Sequence, residues 1–462
     1  MTAEEFHHNL FVSALEESNI QNSIEDIIKW VNDLNDLIDV SVERIELNKL
    51  QGWKFDQDVI SHDSGKFFSI IGLQGNNETQ NLLWDQPIIY QPEIGILGFL
   101  TKKINGIIHF LIQAKIEPGN INKVQLSPTL QATRSNYMRI HKGLSPNYLK
   151  FFMEAKRGDI HIDQIQSEQG SRFLLKRNRN MIVYTEEDFE VLPNYKWVTL
   201  NQIKKLMSFD NLVNMDTKTI LSNISFDYCD GNITKINSSL LRNSLVPPEG
   251  KYWKREILSR FSDYRSNPTF YIKQIPLNNL KEWTIKPEVI AHKENRFFEV
   301  QGAQIKIANR EVKVWNQPVI APVSRGTCIL IGQECNNQLK FLFQFKEEIG
   351  IFDHVQLGPS IQTHLDISSQ QFRKIEYAKL ILDNNNVNKI LFDNLQSEEG
   401  GRFYHEENRY CTLVLKKEVK IDLKNNFIWL TLYEVIDLIR YGYFVNIQAR
   451  NLIAQIDLSR KW

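Results

Sequence analysis

"KVQLSPTLQATRSNY" (123–137) comes back some 230 residues later as "HVQLGPSIQTHLD" (354–366), and that recurrence decides how the chain is read. Each copy is too polar for a buried strand and too poor in glycine for a flexible loop. The matches continue outward from it. "RIELNKLQGW" (44–53) answers "QIPLNNLKEW" (274–283), "HDSGKFFSIIG" (62–72) answers "HKENRFFEVQG" (292–302), and "WDQP" (84–87) answers "WNQP" (315–318). "LIQAKIEPG" (111–119) pairs with "LFQFKEEIG" (342–350), and "QSEQGSRFLLKRNRNMIVY" (166–184) with "QSEEGGRFYHEENRYCTLV" (396–414). Last, "KWVTLNQIKKLM" (196–207) pairs with "IWLTLYEVIDLI" (428–439). An offset held between 230 and 232 over this length is the mark of a tandem duplication. The division expected is a first repeat over 1–235, a linker over 236–252 rich in Asn, Ser, Pro and Gly, and a second repeat over 253–462.

Each repeat opens on a helical pattern: "SIEDIIKWVNDLNDLIDV" (23–40), with Ser23 and Asp26 as a start signal, and "WKREILSRFSDY" (253–264). Short β-type runs follow, among them "KFFSIIGLQ", "GIIHFLIQAKI" and "FLFQFK". Each repeat closes on a helix with a capping box, Thr199 with Gln202 and Thr431 with Glu434. Mixed sheets with helices at both ends make an α+β repeat, present twice.

The composition is that of a folded protein, 42% hydrophobic and 24% charged. Basic and acidic residues balance at 55 each, so no whole-chain field favours nucleic acid or a membrane surface, and an anionic ligand needs a local cluster of cations. Cys229, Cys328, Cys335 and Cys411 show no metal-ligand spacing and read as reduced thiols. No apolar run reaches the ~18 residues of a membrane span, and the acidic start "MTAEEFHHNLF" has no signal core, so a cytoplasmic protein is expected.

Alternation along "FLIQAKIEPG" puts Gln113, Lys115 and Glu117 on one face of a strand, and Gln344, Lys346 and Glu348 repeat the arrangement. A solvent-facing strand edge explains one such row; two rows, each directly before the polar run, favour a ligand site. The same alternation aims Gln125, Ser127, Thr129 and Gln131 together, with Gln356 and Gln362 kept in the second copy. Amides and hydroxyls on a stiff strand suit the edges of a base or a sugar. A Ser-Glu-x-Gly turn (Glu168 and Gly170; Gly400 in the second copy) precedes Arg172 and Arg402, and an Asn-Arg pair follows with Arg179 and Arg409. Glycine beside a guanidinium fork suits phosphate oxygens. The dinucleotide fingerprint, the P-loop, the zinc-protease helix and the nucleophile elbow are all missing, so neither metal nor cofactor is expected and side chains alone carry any chemistry.

"QAK-x-EPGN…VQLSPT-x-QATRSNY", "QSEQGS-x-F…KRNRN" and "SEEGGRFYHE-x-NRY" together resemble the signatures of the NDP-hexose 2,3-dehydratases of deoxysugar biosynthesis, across nearly the whole chain. The resemblance implies two tandem Nudix-like domains in a homodimer. It implies two nucleotide-sugar pockets, one catalytic, and a dTDP-4-keto-6-deoxyhexose substrate. Nudix hydrolysis itself is disfavoured: only "EEIGI" (347–351) echoes the metal-binding box, whose Arg and first Glu would fall on Phe343 and Gln344.

Elimination beside a ketone needs a base at C3, a donor for the enolate oxygen and an acid for the leaving C2 hydroxyl. In the first repeat Glu117, Lys115 and Tyr137 are the candidates for base, enolate stabiliser and acid, with Arg134, Arg172 and Arg179 for the diphosphate. Lys346, Glu348, His364 and Arg402 are the second-repeat counterparts, His364 being best suited to proton transfer near neutrality. The labile diketo product implies a partner 3-ketoreductase. A pyrophosphohydrolase and a non-catalytic sugar-nucleotide binder are the rival readings.

Overall fold

The computed structural model describes residues 1–18, 20–56, 58–77, 82–134, 145–226, 233–250, 252–266, 270–308, 312–383 and 385–460; Tyr137 and Cys229 lie outside them. Each repeat is built on a mixed seven-stranded sheet. In the first, Arg177–Tyr184 runs parallel to Gly95–Ile104, and the other pairings, including Gly95–Ile104 with Ile107–Ile116, are antiparallel. The second copies it, with Glu407–Leu415 parallel to Gly326–Cys335 and Gln338–Glu347 in the place of Ile107–Ile116. The duplicated α+β reading holds.

Pro128 fixes the course of the polar run. It has no N–H to give to a ladder. Strand Val124–Ser127 therefore leaves Ile107–Ile116, and the chain resumes at Leu130–Ala132 against Gly95–Ile104. The capping boxes read from sequence all form: Ser23 with Asp26, Thr199 with Gln202 and Thr431 with Glu434.

The two repeats trade strands. Val40–Ile45 of the first repeat pairs antiparallel with Phe298–Ile307 of the second, Val42 opposite Ile305. Phe270–Ile275 of the second pairs with Ser69–Asn77 of the first, Ile272 opposite Gly75. Each smaller sheet thus holds one strand of the other repeat, and one core runs through both: Phe68, Phe173, Phe298 and Phe403 pack in a single buried cluster. At about 2–3 kcal/mol for each buried aromatic ring, that shared core alone binds the repeats firmly.

The stretch read as linker, 236–252, contains the helix Ser239–Ser244, with Leu241 and Leu245 buried. Ser244 Oγ donates to Leu339 O (2.5 Å) and accepts from Leu432 N (2.8 Å). Ser13, in the opening helix Ala3–Leu15, makes the same two bonds with Ile108 O (2.6 Å) and Leu200 N (2.9 Å). The supposed tether is the second repeat's shortened copy of that helix. Its few inward apolar side chains are set among Asn and Ser, which hid it.

Candidate functional site

A cavity of about 780 Å³ opens on the large sheet of the first repeat. Its floor is the strand Ile107–Ile116, which brings Gln113, Ala114, Lys115 and Ile116 to the lining, with Glu117 just beyond the strand's end. One wall is the helix Ile24–Leu37, through Leu34 and Leu37. The second repeat contributes Ile307, Glu399 and Arg402 to the lining.

Lys115 Nζ donates to Glu117 Oε1 (3.0 Å) and to Gln131 Oε1 (2.9 Å). Asn214 Nδ2 also donates to Gln131 Oε1 (3.3 Å), and Gln131 Nε2 donates to Asp216 Oδ2. Asn214 caps the helix Met215–Leu221, whose start is pinned to the polar run by Asn214 N–H donating to Leu126 O (2.9 Å). That contact sets Asp216 against Gln131. Asp216 is only 7% exposed, and burial together with Glu168, Glu117 and Glu399 pushes its carboxyl well above the usual range, against the pull of Lys115. Burial likewise raises Glu168, whose Oε1 accepts from Asn178 Nδ2 (2.6 Å). Lys176, bonded to Glu93 O (2.6 Å), is lowered to about 8 by burial and by Arg402 nearby.

The second-repeat turn enters as one piece. Glu399 accepts from Gly401 N–H (2.9 Å), Arg402 N–H (2.9 Å) and Arg402 Nη1 (2.7 Å), while Arg402 Nη2 reaches Gln91 Oε1 of the first repeat (2.7 Å). Gly119 N–H donates to Gly400 O (2.7 Å), and Gly119 O accepts from His405 N–H (3.0 Å). The mirrored joint links Gly350 N–H to Gly170 O (2.8 Å). Gly170 and Gly400, expected at phosphate, are engaged here with the backbone of the other repeat, where a Cβ at Gly119 would overlap Phe403 O.

The mirrored cluster in the second repeat is partial. Gln344 and Lys346 face the same way, in register with Gly358 and Gln356. Gln362 Nε2 donates to Glu348 Oε1 (3.2 Å), and Asn446 Nδ2 donates to Gln362 Oε1 (2.8 Å). Glu348 is buried and its pKa raised by that burial, Lys346 opposing. His364 sits edge-on to Phe297 (4.6 Å) and is lowered by burial and then by Arg172. Arg172 crosses to this side, donates to Glu406 Oε1 (3.2 Å) and lies over the Phe298 ring (4.4 Å).

Several expected ligand contacts stand elsewhere. Gln125 Nε2 donates to Ser397 Oγ (2.8 Å), and Gln356 Oε1 accepts from Ser167 Oγ (3.0 Å), so both stitch the repeats together. Ser127 donates to Gln113 O (3.3 Å), and Thr129 accepts from Leu100 N–H (2.9 Å); both are buried in the sheet, because the turn at Pro128 ends the alternation that was to align them. Arg179 and Arg409 are held by Asp163 and Asp393 across neighbouring strands, with Nε–O distances of 2.6 Å, away from the cavity. Arg134 is exposed, and Tyr137 lies outside the described residues. Sequence reasoning missed Asp216, Lys176 and Glu399. Laying the repeats end to end could have flagged them, since Gln448, Glu406 and Gln169 occupy the matching places.

This cavity sets a lysine against carboxylates with further cations at its edge, groups of the kind suited to acid–base work on an anionic, polar ligand. The sequence profile of the family described as NDP-hexose 2,3-dehydratase matches residues 24–224 and again 254–456. Among curated proteins, the dTDP-4-dehydro-6-deoxy-alpha-D-glucopyranose 2,3-dehydratase of Streptomyces violaceoruber is 38% identical over 419 residues, 89% of this chain and 92% of the relative. Proteins of the same description from Saccharopolyspora spinosa and Amycolatopsis orientalis are 36% and 34% identical, covering 92% and 98% of this chain and 90% and 95% of their own. The chain belongs to the NDP-hexose 2,3-dehydratase family.

Proposed function

We propose that this chain removes water across C2 and C3 of a dTDP-4-keto-6-deoxyhexose, in deoxysugar biosynthesis, and that the cavity of the first repeat does the chemistry. The observation that carries the reading is the Lys115–Glu117 pair set in that cavity, in a chain of this family. The 4-keto group acidifies the C3 proton. Glu117 takes that proton, and the electron pair moves onto the C4 oxygen, where the Lys115 ammonium stabilises the enolate. Loss of the C2 oxygen leaves a C3 enol, which tautomerises to a 3,4-diketo-2,6-dideoxy sugar. Arg402 and Lys176 face the diphosphate, since both are cations on the cavity lining and Arg179 is not part of it.

A vicinal diketone is labile, so an NADPH-dependent 3-ketoreductase consumes it promptly. A homodimer and a cytoplasmic location belong to the same proposal; among the described residues no helix is long and apolar enough to cross a membrane. The test is incubation with a dTDP-4-keto-6-deoxyhexose, a 3-ketoreductase and NADPH, followed by mass spectrometry. A sugar nucleotide lacking its C2 hydroxyl is expected. Unchanged substrate, or metal-dependent release of a sugar phosphate, rejects the reading.

A further inference from the structure

The elimination needs an acid, and the geometry offers one where the two repeats differ. Lys115, Glu117, Gln131 and Asn214 have counterparts in Lys346, Glu348, Gln362 and Asn446, but Asp216 faces Gln448. Asp216 lines the cavity, and the one hydrogen bond at its carboxyl is the one Oδ2 accepts from Gln131, which leaves Oδ1 with no protein partner among the described residues. We propose that Asp216 is the proton donor to the departing C2 hydroxyl, and that Gln448 leaves the second repeat without this step. The inference rests on the dehydratase reading above.

The step balances. The C3–H bond breaks and its proton goes to Glu117; the electron pair, held in the enolate, expels the C2 oxygen. The Asp216 O–H proton joins that oxygen, and water leaves. Asp216 ends as carboxylate and Glu117 as acid, and a proton passing from one to the other through solvent resets the pair. The groups that face Asp216 favour the protonated start. Glu117 follows the floor strand, Glu168 follows the strand Ile160–Ser167, and Glu399 comes from the second-repeat turn; Lys115 opposes them, and Lys176 and Arg402 stand on the same lining. At the matching place of Glu399, the second site receives the neutral Gln169.

Asp216→Asn keeps the shape and the acceptor for Gln131 but has no proton to give. In this variant, trapped dehydration should fall by about 10²–10⁴-fold, the usual worth of a general acid. Binding of the dTDP-sugar should persist, and deuterium from D₂O should still enter C3, because Glu117 still enolises the ketone. Glu117→Gln should lose both exchange and dehydration. The basic limb of the wild-type kcat profile should vanish in Asp216→Asn. Dehydration near the wild-type rate, loss of exchange together with dehydration, or an unchanged basic limb overturns the assignment while the dehydratase reading stands. A wild-type protein that neither exchanges nor dehydrates shows instead that the reading beneath it has failed, and the assignment with it. If the Asn variant does not fold, Asp216→Glu carries the test: an unshifted basic limb there refutes the proposal.

Discussion

Gly119→Ala tests whether the repeats must meet to make the cavity. The added Cβ would overlap Phe403 O, well inside the 3.0 Å that real Cβ atoms respect, and the obstacle is backbone rather than a side chain that can swing away. The joint must therefore part, and with it go the bonds from Gly119 N–H to Gly400 O (2.7 Å) and from His405 N–H to Gly119 O (3.0 Å). The two bonds engage four backbone groups, and each one left unpaired while buried costs about 1–3 kcal/mol, so a loss of at least about 4 kcal/mol is expected. The turn that retreats carries Glu399 and Arg402, and Glu117 lies two residues from the substitution. A displacement on the order of 1 Å at reacting groups costs about 10²-fold in rate. Thermal denaturation and kcat/KM in the reductase-coupled assay read the two effects. Gly158→Ala, with no atom within 4 Å of its Cβ, serves as the neutral control. A Gly119→Ala protein with wild-type melting temperature and wild-type turnover refutes the idea that the contact builds the site.

Alanine at Glu117 should cut turnover by about 10²–10⁴-fold, while alanine at Glu348 should leave most of it; equal losses in the coupled assay reject the choice of the first repeat. Arg179→Ala should change KM by less than about 3-fold, because its fork already grips Asp163 on a half-exposed face; a large rise in KM would return Arg179 to the diphosphate. Acid should loosen the opening helix. His161 is stacked on Phe6 with ring centroids 3.6 Å apart, and burial, with His7 and the N-terminal amine nearby, lowers its pKa from 6.5 to about 4. Its neutral form is the one the fold accepts, so this stability is complete above pH 6.5 and is lost as pH falls toward 4. At most about 3 kcal/mol is involved. His161→Phe should flatten that part of the stability–pH curve, and an unaltered curve argues against the assignment.

Legibility in the sequence followed the range of the interaction. Gln113, Lys115 and Glu117 could be read as a row because a strand's two-residue period fixes which face a side chain takes, whatever packs above it. The same rule misled one step further on. Pro128 ends one ladder and starts another, so of the row Gln125–Gln131 only Gln131 reaches the cavity. Arg179 and Arg409 looked like phosphate ligands beside their asparagines. Strand pairing sets Asp163 and Asp393 within reach of them, a partnership that single-stretch reading cannot supply. Asp216 sits in "NMDTKTIL", which carries no motif; it joins the site only because Asn214 is pinned to Leu126, 88 residues earlier.

The strand exchange was hidden for the same reason, and it bears on how the second cluster is held in place. Each repeat's turn bonds to the backbone of the other repeat, and each repeat's leading strand completes the other's sheet. The repeats differ at Asp216 and Gln448 and at Lys176 and Glu406, and these differences leave the joints intact. Loss of Gly350, or of the Arg172 turn, would instead open the joint beneath Phe173, which lines the working cavity. Selection on the first pocket therefore holds the backbone of both repeats and leaves positions such as 448 and 406 free to differ. Gly119 and Gly350, Gln131 and Gln362, and Glu117 and Glu348 match between the repeats, whereas Asp216 and Glu399 stand against Gln448 and Gln169.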